Sequence, residues 1–228
     1  MLERLEILTG SNNLNNIINK TVMVIGLGGV GGYTVESLVR CGVKNIIIID
    51  YDKIDITNKN RQLIALDSTI GMKKTEVFEN RIKDINKFCN VKVLDMFLEA
   101  KDVFDIITND IDYVVDACDT ISVKMEIIKV CLEKNIKFIS CMGTGKRLNP
   151  SLLEVTDIRK TNNDPIAKII RKFVRDNKIN KKIPVVCSKE VPLKINSTKI
   201  GSNSFVPASA GLLITSYIIN DIIKEGVK

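Results

Sequence analysis

Histidine is absent from all 228 residues. That absence removes Ser–His and Cys–His nucleophile pairs and every imidazole metal ligand. Any chemistry must therefore come from carboxylates, lysine, arginine, thiols, backbone amides or a bound cofactor. The cysteines, Cys41, Cys89, Cys118, Cys131, Cys141 and Cys187, include no C-x-x-C pair. Thiols scattered in this way argue against a structural zinc and read as reduced cysteines of a cytoplasmic protein. The N-terminus, MLERLEILTG, carries charges where a secretory signal needs an apolar segment. The apolar stretch from Phe205 to Ile223 is interrupted by Pro207, Ser209, Gly211, Thr215, Ser216, Asn220 and Asp221. A bilayer span takes roughly 20 predominantly apolar residues, so this stretch reads as a buried helix of the core or of a subunit interface, and no membrane partner is expected. Internal repeats, low-complexity tracts and flexible linkers are also missing.

Positive charge is in excess, with 34 Lys and Arg against 27 Asp and Glu for a net +7. Such a balance attracts polyanions, tRNA among them. The abundance of Lys, Ile and Asn fits AT-rich coding equally well, so net charge decides nothing alone.

Apolar periodicity supplies the architecture. Strands are expected at Val22–Ile25, Asn45–Asp50, Val91–Leu94, Tyr113–Asp116 and Lys137–Cys141. Between them lie helical patterns at Tyr33–Cys41, Met72–Phe88, Ala100–Ile107 and Ser122–Glu133, preceded by one or two helices over Met1–Ile18 with a break at Thr9–Asn13. The run NIIIID is continuously apolar up to its terminal acid, as a parallel strand buried on both faces must be. Strand–helix alternation implies βαβ units with right-handed crossovers. Beyond Gly145 the pattern changes to strands at Leu152–Ile158 and Ile183–Cys187 around a basic helix at about Pro165–Asn177. The expected fold is α/β, a Rossmann-like, mostly parallel sheet flanked by helices, with extra strands and helices as a C-terminal extension. The chain reads as one domain, 1–228, made of a nucleotide-binding part, 1–145, and a C-terminal elaboration, 146–228.

The sequence VMVIGLGGVG, Val22 to Gly31, places a strand, a Gly-x-Gly-x-x-Gly turn and a helix start in succession. Gly26, Gly28, Gly29 and Gly31 permit the tight turn and a close backbone approach to phosphate, and the helix N-terminus offers free N–H groups to the anion. Asp50 ends the next strand, where a carboxylate can accept hydrogen bonds from ribose hydroxyls. These features alone suit NAD or FAD as well as ATP. The downstream residues favour a triphosphate: Asp52 is a second strand-end acid that can approach a metal ion, and Asn58, Arg61 and Gln62, then Lys73 and Lys74, supply the cations and amides that β- and γ-phosphates need. Asp119, three residues after the strand-end acid Asp116, falls at the carboxyl edge of the sheet, where it can hold Mg²⁺ near an α-phosphate. Taken singly, Arg61, Lys73 and Lys74 are also ordinary surface charges, Asn58 an ordinary turn residue, and Asp116 or Asp119 an ordinary helix cap.

The ordered set GLGGVG, IIDYD, NKNRQ, Gly71 with Lys74, and DACD resembles the ubiquitin-activating-type adenylating enzymes, the superfamily that includes molybdopterin and thiamine sulfur-carrier activators. The resemblance implies ATP and Mg²⁺ as cofactors, phosphate contacts at Gly29 and its neighbours, and ribose held by Asp50. It further implies triphosphate binding by Asn58, Arg61, Gln62 and Lys74, and an adenylation centre at Asp119. It also implies a homodimer in which an N-terminal arginine, here Arg4, reaches the partner's nucleotide site. The stretches Asp157–Asp176 and Ser202–Ile214 are similar to the tRNA threonylcarbamoyladenosine dehydratase branch. That branch activates the threonyl carboxylate of the modified adenosine and cyclises it with net loss of water. The partner then implied is tRNA carrying threonylcarbamoyladenosine, with a sulfur-transfer protein as a further partner. The missing cysteine pairs and the basic run Arg171, Lys172, Arg175, Lys178, Lys181 and Lys182 favour this branch, although such a run is commonly just a solvated helix face. An activator of a sulfur carrier or ubiquitin-like protein, and an NAD-binding oxidoreductase or nucleotide sensor, are the competing readings. For a thioester route Cys187 is the candidate thiol, although free cysteine usually packs inside; Cys118, between two acids, is a poor one.

Overall fold

The computed structural model describes residues 1–225. Seven strands form a single sheet: β1 (Thr21–Ile25), β2 (Asn45–Asp50), β3 (Asn90–Asp95), β4 (Tyr113–Asp116), β5 (Lys137–Cys141), β6 (Leu153–Asp157) and β7 (Pro184–Ser188), in the order β3-β2-β1-β4-β5-β7-β6. All neighbours are parallel except β6, which runs antiparallel to β7 at one edge. The C-terminal strands thus extend the same Rossmann-like sheet. The order reverses between β1 and β4, and a crevice opens there at the carboxyl ends of the strands.

Alternation along each strand divides the core in two. Val22, Val24, Ile46 and Ile48 pack on one face with α3 (Gly31–Arg40), α4 (Lys74–Ile85) and α8 (Phe205–Glu225). Met23, Ile25, Ile47 and Ile49 pack on the other with α5 (Val103–Ile106), α6 (Ile121–Glu133) and α7 (Pro165–Asp176). Because both faces are covered, the central strands are apolar without interruption. The N-terminal helices α1 (Glu3–Thr9) and α2 (Ser11–Ile18) meet at Gly10 and sit at the opposite, amino-terminal edge. Lys44 N–H donates to Ile18 O just before β2, and Leu2 packs against Gly42.

Several boundaries differ from the periodicity. The helix expected from Met72 starts at Lys74, because Lys73 is extended and bridges to Lys53. It stops at Ile85, where Asn86 turns extended. The segment expected as a helix from Ala100 opens as a 3-10 turn, Ala100–Asp102, ahead of α5. Helix α3 starts two residues earlier than expected, within the glycine run.

Helix α8 is long and apolar enough to span a membrane by composition. Its face carrying Val206, Ala210, Ile214 and Ile218 is nevertheless buried in the core. At Gly211 it touches α3 directly: Thr34 Oγ1 donates to Gly211 O at 3.2 Å, and a Cβ there would lie 2.4 Å from Val30 O. Gly211→Ala gains about 1 kcal/mol of helix propensity, but the added methyl must push two packed helices apart, which typically costs about 1–3 kcal/mol. The net expectation is destabilisation in urea unfolding. An equal or higher midpoint would show that the helices separate freely.

Candidate active site

The crevice is a cavity of about 410 Å³ that runs from the end of β3 across β2, β1 and β4 to the end of β5. Four strand spacings make this roughly 19 Å. Its floor at the reversal point is the glycine turn. Gly26 has φ +90°, and a Cβ there would come within 2.8 Å of Ala117 O, so the turn fits against the end of β4 only without a side chain. Gly28 and Gly29 line the cavity; Gly31 does not. A Cβ on Gly31 would lie 1.8 Å from Gly26 O, so Gly31 serves to close the strand–helix turn rather than to face the crevice.

Asp50 secures the turn. Its Oδ2 accepts from Leu27 N–H at 2.7 Å and its Oδ1 from Asp52 N–H at 2.8 Å. Lys74, 4% exposed at the first turn of α4, donates to Asp52 Oδ2 at 2.6 Å and lies 3.8 Å from Asp50 Oδ1. A buried ammonium at the positive end of a helix is unfavourable unless it is paired, and these two carboxylates provide the pairing. Asn58 lines the cavity while its Oδ1 accepts from Asp55 N–H at 3.0 Å, which rigidifies the loop that carries Arg61 and Gln62. Arg61 donates to Thr57 O and Asn60 Oδ1 from the same nitrogen, at 2.9 and 3.0 Å. Gln62 is buried, and its Oε1 has no partner among the described residues. An orphaned buried acceptor inside a cavity is a position for a ligand donor. Asp119 is exposed at the end of β4 and lines the same cavity.

The structure therefore brings Gly26, Gly28, Gly29, Asp50, Asp52, Asn58, Arg61, Gln62, Lys74 and Asp119 together. Arg4 is elsewhere, exposed on α1 toward the amino edge of the sheet. Lys73 points its charge to Asp95 instead of the cavity. The basic run lies on α7 and the turn after it. Ile166, in the first turn of α7, borders the cavity, whereas Arg175 is about 14 Å further along the axis. Arg171 is occupied with Thr161, donating to its carbonyl at 2.8 Å.

Sequence reasoning missed a buried ion pair beneath this floor. Asp116 and Lys124 are 0% and 1% exposed, with Lys124 Nζ 3.0 Å from both carboxylate oxygens and donating to Cys141 O at 2.8 Å. Ser140 Oγ also donates to Asp116. Burial pulls the Lys124 ammonium down, but Asp116 and its neighbours outweigh it and the net shift is upward, so Lys124 stays charged. A lysine in the apolar stripe Val123, Ile127, Ile128 was the available signal. Also missed were the exposed aromatics Tyr51 and Phe97, edge to face at 4.6 Å on the β2–β3 side, and the residues of the β5 side.

No thiol is activated. Cys118 and Cys141 line the cavity. Burial and then Asp116 raise the Cys118 thiol, which lies 3.1 Å from Asp116 Oδ1. Burial pushes Cys141 up to about 12 and Cys187, inside β7, up to about 11. Among the described residues no three acids or thiols gather into a metal cage.

The ThiF family model matches residues 2–187. The chain is 39% identical to the tRNA threonylcarbamoyladenosine dehydratase of Bacillus subtilis (strain 168), over 97% of this chain and 94% of that one. It is 35% identical to the Escherichia coli (strain K12) protein of the same name, over 75% of this chain and 63% of that one. The crystal structure of E. coli tRNA N6-threonylcarbamoyladenosine dehydratase in complex with ATP matches with a TM-score of 0.91 at 30% identity, covering 97% of this chain and 93% of that one.

Lys124→Met leaves Asp116 buried without its counter-ion. The expected loss is about 3–5 kcal/mol in denaturant unfolding. A loss below about 1 kcal/mol would mean that Asp116 is neutral or hydrated and that the pair supports nothing.

Proposed function

The chain belongs to the ThiF family, and from that footing we propose that it uses ATP to activate the threonyl carboxylate of tRNA threonylcarbamoyladenosine, then closes the modification into a ring with net loss of water. One observation carries this reading. The glycine turn, Arg61, Lys74 and Asp119 converge on a single crevice, in a chain similar almost end to end to a tRNA threonylcarbamoyladenosine dehydratase.

The chemistry divides into two displacements. A carboxylate oxygen of the substrate attacks the α-phosphorus, the bond to the β-phosphate oxygen breaks, and pyrophosphate leaves. Arg61 and Lys74 stabilise the charge that develops on the departing phosphates, and backbone N–H groups of the glycine turn hold the nucleotide. A nucleophile on the same threonylcarbamoyl group then attacks the acyl carbon, loses its proton, and expels AMP. Because both groups already sit on one substituent, ring closure proceeds at high effective molarity. The oxygen lost as water leaves on AMP. The raised thiols of Cys118, Cys141 and Cys187 support this internal nucleophile over a thioester intermediate, which speaks against an activator of a sulfur-carrier type.

Magnesium belongs to the same reading. Mg²⁺ is commonly held by one or two carboxylates together with phosphate oxygens and water; the single exposed Asp119 suits that arrangement, and the bound ion would neutralise phosphate charge. Arg4 cannot serve its own cavity from the amino edge, so a catalytic role for it requires a homodimer in which it crosses to the partner's site. The reaction as written takes up no sulfur, so no step here needs a sulfur-transfer partner. Free thiols and a tRNA substrate support a cytoplasmic location.

Purified protein incubated with ATP, magnesium and modified tRNA is expected to convert the threonylcarbamoyl nucleoside to a form lighter by one water, read by nucleoside mass spectrometry, with AMP released. Asp119→Ala is expected to slow AMP formation about 10²–10³-fold. An unchanged nucleoside with the wild-type protein, or full AMP formation by Asp119→Ala, would overturn the proposal.

A further inference from the structure

The crevice is electrostatically divided. Its charged lining residues, Asp50, Asp52, Arg61, Lys74 and Asp119, all come from β2, the loop and helix that follow it, or the end of β4. From Thr120 across to β5 the lining is neutral, including Met142, Gly143, Thr144 and Gly145 after β5, Ile166 on α7, and Ile200 on the strap that leads into α8. A triphosphate has no cationic partner on that side. With the functional reading above as its premise, we propose that the neutral side is the binding site for the modification itself, the threonylcarbamoyl group and the purine it is attached to, and that Thr144 and Ile200 determine its recognition.

The site is built rather than left over. Arg147, 2% exposed, donates to Gly143 O at 3.1 Å, Asn163 O at 3.0 Å and Asp164 Oδ2 at 3.1 Å, and also to Glu190 O. One guanidinium thereby ties the loop after β5 to the turn before α7 and to the start of the strap. The strap returns over the loop: Lys146 N–H donates to Gly201 O at 2.8 Å, and Asn60 Nδ2 donates to Ser202 O at 3.0 Å. A Cβ on Gly145 would lie 2.4 Å from Ile200 Cγ2, so the absence of a side chain lets the strap seat.

The chemistry of the lining matches a neutral, flat, partly apolar ligand. Met142, Ile166 and Ile200 offer apolar surface to a purine, and Ile200 is 75% exposed, with room for a partner against it. The hydroxyl of the half-buried Thr144 has no hydrogen bond among the described residues, which leaves it for the carbamoyl or threonyl oxygens. No cationic residue lines this side, so the ligand's single carboxylate is directed toward the centre of the crevice and the cations Arg61 and Lys74. Binding the modification by its neutral parts leaves the reacting carboxylate unpaired and oriented. The purine half also explains how a small enzyme would select one nucleoside without contacting the rest of the tRNA at this point.

The test uses two variants of the full chain, with free threonylcarbamoyladenosine and modified tRNA as substrates. Thr144→Val keeps the volume and removes the hydroxyl. Ile200→Asp puts a negative charge on an exposed position of the strap and leaves the core untouched. Both are expected to bind ATP with wild-type affinity by calorimetry. KM for the modification is expected to rise about three- to tenfold in Thr144→Val, the effect of one hydrogen bond, and by a larger factor in Ile200→Asp, with the same ratio for free nucleoside and for tRNA. Unchanged KM in both variants would overturn the proposal. An equal loss of ATP affinity would overturn it as well, because these residues would then serve the nucleotide. If wild-type protein binds ATP but dehydrates neither substrate, the functional reading itself has failed.

Discussion

The buried pair of Asp116 and Lys124 is the constraint around which the crevice is arranged. The two side chains are buried between β4, α6 and β5, and their mutual attraction, with Ser140 and the Cys141 carbonyl, offsets the desolvation that burial imposes. The pair fixes the end of β4 against the end of β5, and so sets where Cys118, Asp119 and the loop from Met142 to Gly145 emerge. Burial raises the adjacent Cys118 thiol, with Asp116 adding to the effect and Lys124 opposing it, which blunts the nearest competing nucleophile in the cavity.

The opposite bank of the crevice sets a buried lysine between one buried and one half-exposed carboxylate. Lys74 is held between Asp50 and Asp52, and Asp50 in turn holds the glycine turn through Leu27. A phosphate arriving here meets donors that are already oriented, so little reorganisation accompanies binding. The two banks differ in what they can recognise: polyanion on the β2 side, and a neutral group on the β5 side. An adenylating reaction needs that asymmetry, because it must bring a charged nucleotide and a single carboxylate together without binding both in the same manner.

Much of this was legible in the amino-acid sequence, for identifiable reasons. Continuous runs such as NIIIID and YVVD have one stable outcome when both sheet faces are covered, and β4 coincides with the expected span. The glycine turn, Asp50 and Asp119 were readable because strand ends and βα loops lie on one edge of a parallel sheet. Arg61, Gln62 and Lys74 joined them because the loop after β2 folds back over the turn, capped by Asp55 and Asn58. What depended on tertiary geometry was hidden. Gly31 falls in the same motif as Gly29 yet serves only the turn. Lys124 is marked only by its place in the apolar stripe of α6, and its partner Asp116 is set by the fold; Arg147 gives no local sign of bridging three loops. The basic run after Arg171 is a real surface feature, but α7 carries most of it away from the crevice, which no linear spacing reveals.

When a substrate carboxylate attacks the α-phosphorus of ATP in this crevice, one of its oxygens ends on AMP. Modified tRNA bearing ¹⁸O in both threonyl carboxylate oxygens tests it directly, with the AMP product analysed by mass spectrometry. The expected products are AMP carrying one labelled oxygen and cyclised nucleoside retaining the other. Unlabelled AMP, or cleavage of ATP to ADP with label in inorganic phosphate, would contradict it.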